Sequence, residues 1–466
     1  MVAFINNRFM LQNKTAETLY HKYAEDMPIF DYHSHLKAND ILSNRNFLNL
    51  AEVWLKNDHY KWRLLRAVGV DEKNITGDGD DYENFLLWAE IVEKCIGNPI
   101  YHWTHLELKN YFGIEEMLTR ETAPMIWERC SRMLSEEKFR TVSLFRKSKV
   151  TGFCTTDDPV DSLQNHAELG MDRELGFQVL PTFRPDKALN LDQEDFGDWL
   201  IKLEKTSGIK IEVLEDFEEA LKNRCGFFKQ RGCLSADHSI EVVDFTVQDI
   251  KLAKAAFAKA RENKDISKLE KMAYQTEIML FLGRMYHEMN LVMQLHLGAA
   301  RNLRYSMEPD SGFDSMGDPI SVRLLAPLFS RLVASGQLPK TIIFSSNPTD
   351  NKKLISLANC FNGGGVPGKL QTGSAWWFAD HRDGIEEQLR AISNQGMLST
   401  YVGMTADSRS LLSMSRHDYF RRILCNLLGK WVEDREIPSN EVLLGGLVQD
   451  ICYNNAIRYF EFKEIH

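Results

Sequence analysis

The sequence has no apolar stretch long enough to cross a membrane, no run of basic residues and no paired cysteine motif. Residues 1–10 are interrupted by Asn6, Asn7 and Arg8, so they lack the continuous apolar segment of a signal peptide. The formal net charge of −10 argues against nucleic-acid binding, because phosphate contacts need clustered Lys and Arg. The eight cysteines are scattered without CxxC or metal-type spacing, which fits reduced thiols. We therefore expect a cytoplasmic protein with no membrane or nucleic-acid partner.

The composition is that of a folded globular protein. Of the 466 residues, 44% are hydrophobic and 26% are charged, which leaves ample apolar material for a core. This length accommodates two or three average domains, or one large α/β barrel with insertions. The choice between them has to come from the order of the predicted elements.

Two histidines end an apolar run near the amino terminus, at residues 28–35 (PIFDYHSH). Alternate side chains of an extended strand point the same way, so His33 and His35 would present two imidazoles to one side. A divalent metal needs such an arrangement. Taken alone, the pair is better interpreted as two half-exposed polar residues of an ordinary strand, so the metal site depends on the rest of the chain.

Seven further apolar runs, each ending in polar or charged residues, alternate with helical segments after this first strand. They are 150–155, 178–183, 233–236, 291–295, 341–344, 370–374 and 401–405. Strands that alternate with helices predict parallel βαβ units, and eight of them predict an α/β protein with a distorted (β/α)8 TIM-type barrel. Polar strand ends would then meet at the carboxyl face of the barrel. Two separate α/β domains are the alternative.

The region between the first two predicted strands has helical rather than strand character. Residues 36–145 contain repeated helical patterns, at 48–54, 60–68, 82–95 and 123–134. We therefore predict one barrel domain over residues 1–466, with a helical insertion at 36–145.

Asp407 is the candidate third metal ligand. It follows the last predicted strand, which in a closed barrel lies beside the first, so its carboxylate would approach His33 and His35. Its side chain could instead, or also, cap the helix that follows.

Two arginines near strand ends suggest an anionic or polyhydroxylated substrate. Arg184 lies between Pro181 and Pro185, which restrict the loop, and Arg409 comes two residues after Asp407. Guanidinium groups pair well with carboxylates, although Arg184 could simply form a salt bridge with nearby Asp186.

Other candidates are ambiguous from local sequence. His59 and Tyr60 could start a helix of the insertion, and Trp377 could stack on a sugar or belong to the core. His296 could support the metal site from behind, bind the metal, or be a satisfied buried histidine.

Together these motifs resemble the uronate isomerases, which belong to the amidohydrolase superfamily. The resemblance covers essentially the whole chain. It rests on DYHSHL (31–36), DHYKWR (58–63), GNPIYHWTHLEL (97–108), TTDDP (155–159), FRPDKA (183–188), SADH (235–238), QLHLGA (294–299), WWF (376–378) and GMTADSRS (403–410).

The resemblance implies a distorted (β/α)8 barrel that interconverts D-glucuronate and D-fructuronate, and D-galacturonate and D-tagaturonate, as an intramolecular oxidoreductase. It implies one divalent, zinc-type metal on His33, His35 and Asp407. The positions that match residues lining the substrate are His59, Tyr60, Arg184, Trp377 and Arg409, and we add His296 as a substrate-binding candidate. Residues 233–239 contain no lysine to bridge two metals, which favours a single ion.

Moving a carbonyl from C1 to C2 requires proton transfer through an enediol. We assign catalytic roles to Asp407 or Tyr60, for the proton, and to Arg409, which with Arg184 would stabilise developing charge or hold the carboxylate. The metal could polarise the oxygens or orient the substrate. Alternatives are a direct hydride shift, a metal-dependent hydrolase on the same barrel, and a non-catalytic sugar-acid-binding protein. We also expect a homo-oligomer.

Overall fold

The computed structural model describes residues 3–305 and 312–464, which contain nine β-strands and twenty α-helices. The strands are β1 (Ile29–Asp31), β2 (Val150–Cys154), β3 (Gln178–Leu180), β4 (Ser235–Ile240), β5 (Val292–Leu297), β6 (Ala299–Ala300), β7 (Ser315–Met316), β8 (Thr341–Ser345) and β9 (Leu370–Thr372). No helix in these ranges is both long and apolar enough to cross a membrane.

The α-helices account for slightly less than half of the chain. They are α1 (Lys14–Leu19), α2 (Ala38–Leu42), α3 (Leu50–Trp54), α4 (His59–Ala67), α5 (Asp81–Lys94), α6 (Pro99–Phe112), α7 (Ala123–Leu134), α8 (Thr141–Lys147), α9 (Gln164–Met171), α10 (Asp186–Leu189), α11 (Phe196–Ser207), α12 (Leu214–Lys229), α13 (Ile250–Arg261), α14 (Lys268–Glu288), α15 (Val322–Ala334), α16 (Asn351–Asn359), α17 (Arg382–Gln395), α18 (Ser415–Glu433), α19 (Glu441–Gln449) and α20 (Asn455–Phe460).

Seven strands form two parallel sheets, with orders β1-β2-β3 and β4-β5-β8-β9. Phe183 connects them, because it forms bridges to both Asp157, after β2, and Ala236, in β4. Its amide donates to the Ser235 carbonyl (3.1 Å), and its carbonyl accepts from the Asp237 amide (3.0 Å). Helices connect the parallel strands, as such strands require. The predicted α/β class is thus confirmed.

The predicted eighth strand is wrong, because residues 401–405 do not form a strand. Among the described residues, the parallel strands therefore do not form a closed barrel. Gly403 has a left-handed φ of +78°, which interrupts the extended backbone. An amide within the segment donates to the Gln371 side chain (3.0 Å) rather than to a neighbouring strand. Pairing with the first strand's continuation is limited to one bridge, Ser34 to Ser408.

Residues 36–145 contain helices α2 to α8 and no strand. Helix α7 begins and ends at the predicted residues, 123 and 134. Helix α4 starts at His59 because the Asp58 side chain caps it, accepting from the Tyr60 amide (3.0 Å) and the Lys61 amide (3.4 Å). This cap fixes where the chain presents the His59–Tyr60 pair.

A short antiparallel ribbon follows β5 and was not predicted. It pairs Ala299 with Met316 and Ala300 with Ser315. Two residues per strand are too few to give a period-2 pattern in the sequence. The ribbon matters because Arg301 leaves it directly beside the carboxyl ends of the parallel strands.

Candidate active site

The carboxyl ends of the parallel strands surround a cavity of about 280 Å³. Seven of the predicted site residues line it: His33, His35, Arg184, His296, Trp377, Asp407 and Arg409. Thr156, Arg301 and Trp376 complete the wall. His59 and Tyr60 are not among its lining residues, but His59 contacts the Trp377 ring, with centroids 5.5 Å apart.

A larger cavity, of about 480 Å³, lies near the amino ends of β5 and β8. Its lining includes Tyr286, Leu338 and Tyr459, and neither of the two groups of potential metal ligands in the described residues borders it. We place the site in the smaller cavity because the chemistry-bearing side chains converge there.

Asp407 lies between the two predicted histidine ligands. Its Oδ1 is 3.4 Å from His33 Nε2 and 3.3 Å from His35 Nε2. This oxygen is buried without a hydrogen-bond partner, whereas Oδ2 accepts a hydrogen bond from Trp376 Nε1 (3.0 Å). Asp407 also has a left-handed φ of +44°, an uncommon conformation for a residue other than glycine. Two imidazole nitrogens and one carboxylate oxygen could therefore hold a metal ion.

Asp31, which the sequence did not single out, joins the two segments that carry these ligands. Its fully buried carboxylate accepts from the Ala406 amide, with both oxygens 3.2 Å away, and from the Thr405 hydroxyl. The same hydroxyl accepts from the His33 amide (3.0 Å). The interactions of one buried carboxylate therefore replace the missing strand pairing and hold Asp407 beside the histidines.

A second buried carboxylate, Asp237, lies on the other side of His33. His296 Nδ1 is 2.6 Å from its Oδ1, Arg184 Nη1 donates to its Oδ2 (2.9 Å), and His33 Nδ1 is 3.7 Å from that oxygen. Because an ionised carboxylate only accepts, His296 donates from Nδ1, and its Nε2 remains buried without a partner. His33, Asp237 and His296 form a second group that could hold a metal, although Arg184 already supplies positive charge there.

Burial keeps the imidazoles of His35 and His59 neutral, the form in which a histidine can bind a metal. It lowers the pKa of His35 to about 4 and, with the charge of Arg409, that of His59 to about 3. These rings are therefore neutral at pH 7. Burial opposes ionisation of Asp407, but the adjacent imidazoles of His33 and His35 outweigh it and hold the pKa of this carboxyl well below its usual value.

The arginines of the cavity differ in how far the protein satisfies them. Arg184 donates from Nε to Asp186 (2.7 Å) and from Nη1 to Asp237 (2.9 Å), so the local salt bridge is present. Arg409 makes no hydrogen bond or ion pair with the described residues. Arg301, which the sequence analysis missed, donates to Ser239 (2.9 Å) and stacks on Trp377 (4.9 Å). Its position shortly after β5, the strand that contains His296, was the available signal.

Tyr60 and His59 lie together at the side of the site. Their rings stack with centroids 4.8 Å apart, and the Tyr60 hydroxyl is buried without a hydrogen-bond partner. Burial raises the pKa of Tyr60 well above its usual value, which keeps the phenol protonated. His59 also begins α4, so the structural and functional interpretations of this pair are compatible.

Fold and site together define an α/β enzyme with a histidine–carboxylate centre among arginines, and comparison with known proteins defines the family. The glucuronate isomerase family model matches residues 1–460. Uronate isomerases of Caldanaerobacter subterraneus subsp. tengcongensis and Caldicellulosiruptor bescii are 48% and 47% identical, over 98% and 99% of this chain and 99% and 100% of theirs. The crystal structure of Thermotoga maritima uronate isomerase is 33% identical, covers 98% of this chain and 99% of that one, and superposes with a TM-score of 0.92. The chain belongs to the glucuronate isomerase family and is an isomerase.

Proposed function

We propose that this protein interconverts D-glucuronate and D-fructuronate, and D-galacturonate and D-tagaturonate. The observation that carries the proposal is the full-length similarity to uronate isomerases. The cavity supports it independently, because Arg409 has no partner among the described residues and can pair with a carboxylate or a developing oxyanion.

The finer architecture belongs to the same proposal. If the two sheets are joined through Phe183, the order would be β1-β2-β3-β4-β5-β8-β9, and with residues 401–408 between β9 and β1 this would be the order of an eight-stranded barrel whose last strand is irregular. We propose a single distorted barrel domain of the amidohydrolase superfamily, with residues 36–145 as its helical insertion. Homo-oligomer formation and a cytoplasmic location stay predictions.

We assign one divalent ion, Zn²⁺, to His33, His35 and Asp407. The fit rests on the buried Oδ1 of Asp407, which lies without a hydrogen-bond partner between two imidazoles, a donor set that zinc favours. A bound zinc ion would supply positive charge that orients and polarises substrate oxygens. Asp237, whose Oδ2 lies 3.7 Å from His33 Nδ1, would support the set by attracting that side of the ring, which directs Nε2 toward the ion.

The protonation states of Asp407 and Tyr60 indicate a different catalytic role for each. Asp407 is ionised and therefore takes the proton from C2 of the sugar acid, whereas protonated Tyr60 donates to the carbonyl oxygen as the enediol forms. Arg409 stabilises the developing negative charge. Arg184, Arg301, His59, Trp377 and His296 bind and orient the remainder of the substrate.

Incubation of the purified protein with D-glucuronate in deuterated water tests the proposal. We expect ketose to form and solvent deuterium to enter the product at C1. Turnover without deuterium at C1 would favour a hydride shift. No turnover of either uronate, together with hydrolysis of an ester or amide, would replace the isomerase proposal by a metal-dependent hydrolase.

A further inference from the structure

Arg416 is a buried cation directly behind the site. It is the second residue of α18, and only 4% of it is exposed. Its Nη1 donates to the Ala406 carbonyl (2.8 Å) and to Asp380 Oδ2 (3.4 Å). Its guanidinium lies against two aromatic rings, 5.3 Å from the Tyr60 centroid and 4.1 Å from the Trp103 centroid.

Fold stability alone does not account for a cation at this position. Positive charge in the first turn of a helix opposes the helix dipole. Burying a charge is costly, and an apolar side chain of similar size often stabilises a core as well or better. Moreover, Arg416 Nε is buried without a partner, so the charge is only partly satisfied.

Arg416 contacts the residue that precedes Asp407 and the ring of Tyr60, and Asp407 and Tyr60 are the residues that we assign to proton transfer. The Ala406 peptide precedes Asp407, and opposite buried charges hold its two ends: Asp31 accepts from the amide, and Arg416 donates to the carbonyl. This arrangement helps to hold the left-handed backbone of Asp407. The face of the same guanidinium packs against the Tyr60 ring.

We propose that Arg416 is a positioning residue, which fixes the Asp407 carboxylate and the Tyr60 hydroxyl relative to each other without touching the substrate. The proposal rests on the proposed isomerase function for its kinetic consequences. Its consequence for the metal ligands does not depend on turnover.

Arg422 provides a matched control on the same helix. It is 5% exposed and likewise contacts a carbonyl (Phe9, 3.1 Å), a carboxylate (Asp418, 3.0 Å) and a ring (Tyr20, 4.1 Å). None of these partners lines the cavity. Arg422→Met therefore reproduces the loss of a buried arginine away from the site.

The kinetic test compares Arg416→Met with Arg422→Met, each beside the wild type and with its Tm. We expect Arg416→Met to lower kcat by about 100-fold, with KM changed less than about threefold, because small displacements of catalytic groups have effects of this size. Arg422→Met should leave kcat within about threefold at a comparable loss of Tm. Arg416→Lys should recover part of the loss, since it retains charge but not the planar fork.

Two further measurements separate positioning from general damage. In a Tyr60→Phe background the effect of Arg416→Met on kcat should fall below about tenfold, because one of the groups it positions is already absent. Zn²⁺ affinity, measured against a chromophoric chelator, should weaken tenfold or more in Arg416→Met and stay unchanged in Arg422→Met.

Three results would overturn the positioning role: equal kcat losses in the two arginine variants, an undiminished effect in the Tyr60→Phe background, or unchanged Zn²⁺ affinity in Arg416→Met. A wild type that turns over neither uronate would instead contradict the proposed function. The zinc measurement would still decide whether Arg416 holds Asp407.

Discussion

His33 lies between two buried carboxylates that the protein treats differently. On one side Asp407 Oδ1 faces two imidazoles and has no hydrogen-bond partner. On the other side Asp237 accepts from Arg184 and from His296. Both groups have the residue types of a metal site, yet only one contains a carboxylate oxygen that the protein leaves unsatisfied.

The difference shows how the same residue types can serve two purposes. A carboxylate paired with an internal guanidinium has its charge balanced and can hold imidazoles in one orientation. A buried carboxylate oxygen that faces imidazoles without a hydrogen bond is stabilised when a cation from outside binds beside it. We therefore assign the ion to the Asp407 side and an orienting role to Asp237.

Asp407→Asn should have the largest effect. The amide keeps the shape of the side chain but loses the negative charge and the base, so kcat should fall by at least about 1,000-fold, at the upper part of the range for general acid–base groups. Initial rates with D-glucuronate at saturation measure this. A loss of less than tenfold would remove Asp407 from proton transfer.

Asp237→Asn should have an intermediate effect. The variant retains an acceptor but weakens the orientation of His33 and His296, and loss of such supporting carboxylates lowers metal affinity or activity by about 10- to 100-fold. Zn²⁺ affinity and kcat should fall together. An effect as large as that of Asp407→Asn would mean that the two sides of His33 are equivalent.

Trp376→Phe should have a smaller effect. It removes the indole hydrogen bond to Asp407 Oδ2 but keeps the ring, and a hydrogen bond to a charged group contributes about 1.5–3 kcal/mol, so kcat should fall roughly tenfold. Trp199→Phe is the control, because Trp199 makes the same kind of bond to Asp158 (2.8 Å) outside the cavity. Equal kcat losses in both variants would show that the effect is structural.

Asp157→Asn should have the smallest effect on activity, and this variant also allows a test of how stability depends on pH. Burial raises the pKa of Asp157 from 3.8 to about 7, and no lysine or arginine among the described residues forms an ion pair with it, in contrast to Asp237. A raised pKa contributes stability that is present below pH 4 and is lost as pH rises through 7, by up to about 4 kcal/mol. Asp157→Asn should therefore gain stability relative to the wild type between pH 5 and pH 8 in urea unfolding, with kcat within about twofold. A constant difference would contradict the buried-charge explanation.

The sequence was informative where local pattern decides structure. Seven of the eight predicted strands overlap observed strands, although β4 extends through Asp237 and His238, which were predicted to follow it, and helix α7 has its predicted bounds. The predicted strand at 401–405 failed because its backbone groups pair with side chains, and a left-handed glycine interrupts it. The local sequence pattern does not reveal that distant side chains take the place of a neighbouring strand as hydrogen-bond partners.

The site was predicted in part for the same reason. His33, His35 and Asp407 converge because strand order, which the alternation of elements indicates, sets their spacing. Asp31 and Arg416 could not be found this way. Their importance comes from contacts with Ala406, which lies 375 positions from Asp31 and 10 positions from Arg416. Buried charges show their partners only in three dimensions.

Zinc titration of the metal-free wild type, Asp407→Asn and Asp237→Asn tests the central claim most directly. The account predicts one Zn²⁺ per chain in the wild type and in Asp237→Asn, the latter with about 10- to 100-fold lower affinity, and no stoichiometric binding in Asp407→Asn. Two ions per chain in the wild type, or binding that survives in Asp407→Asn and disappears in Asp237→Asn, would contradict it.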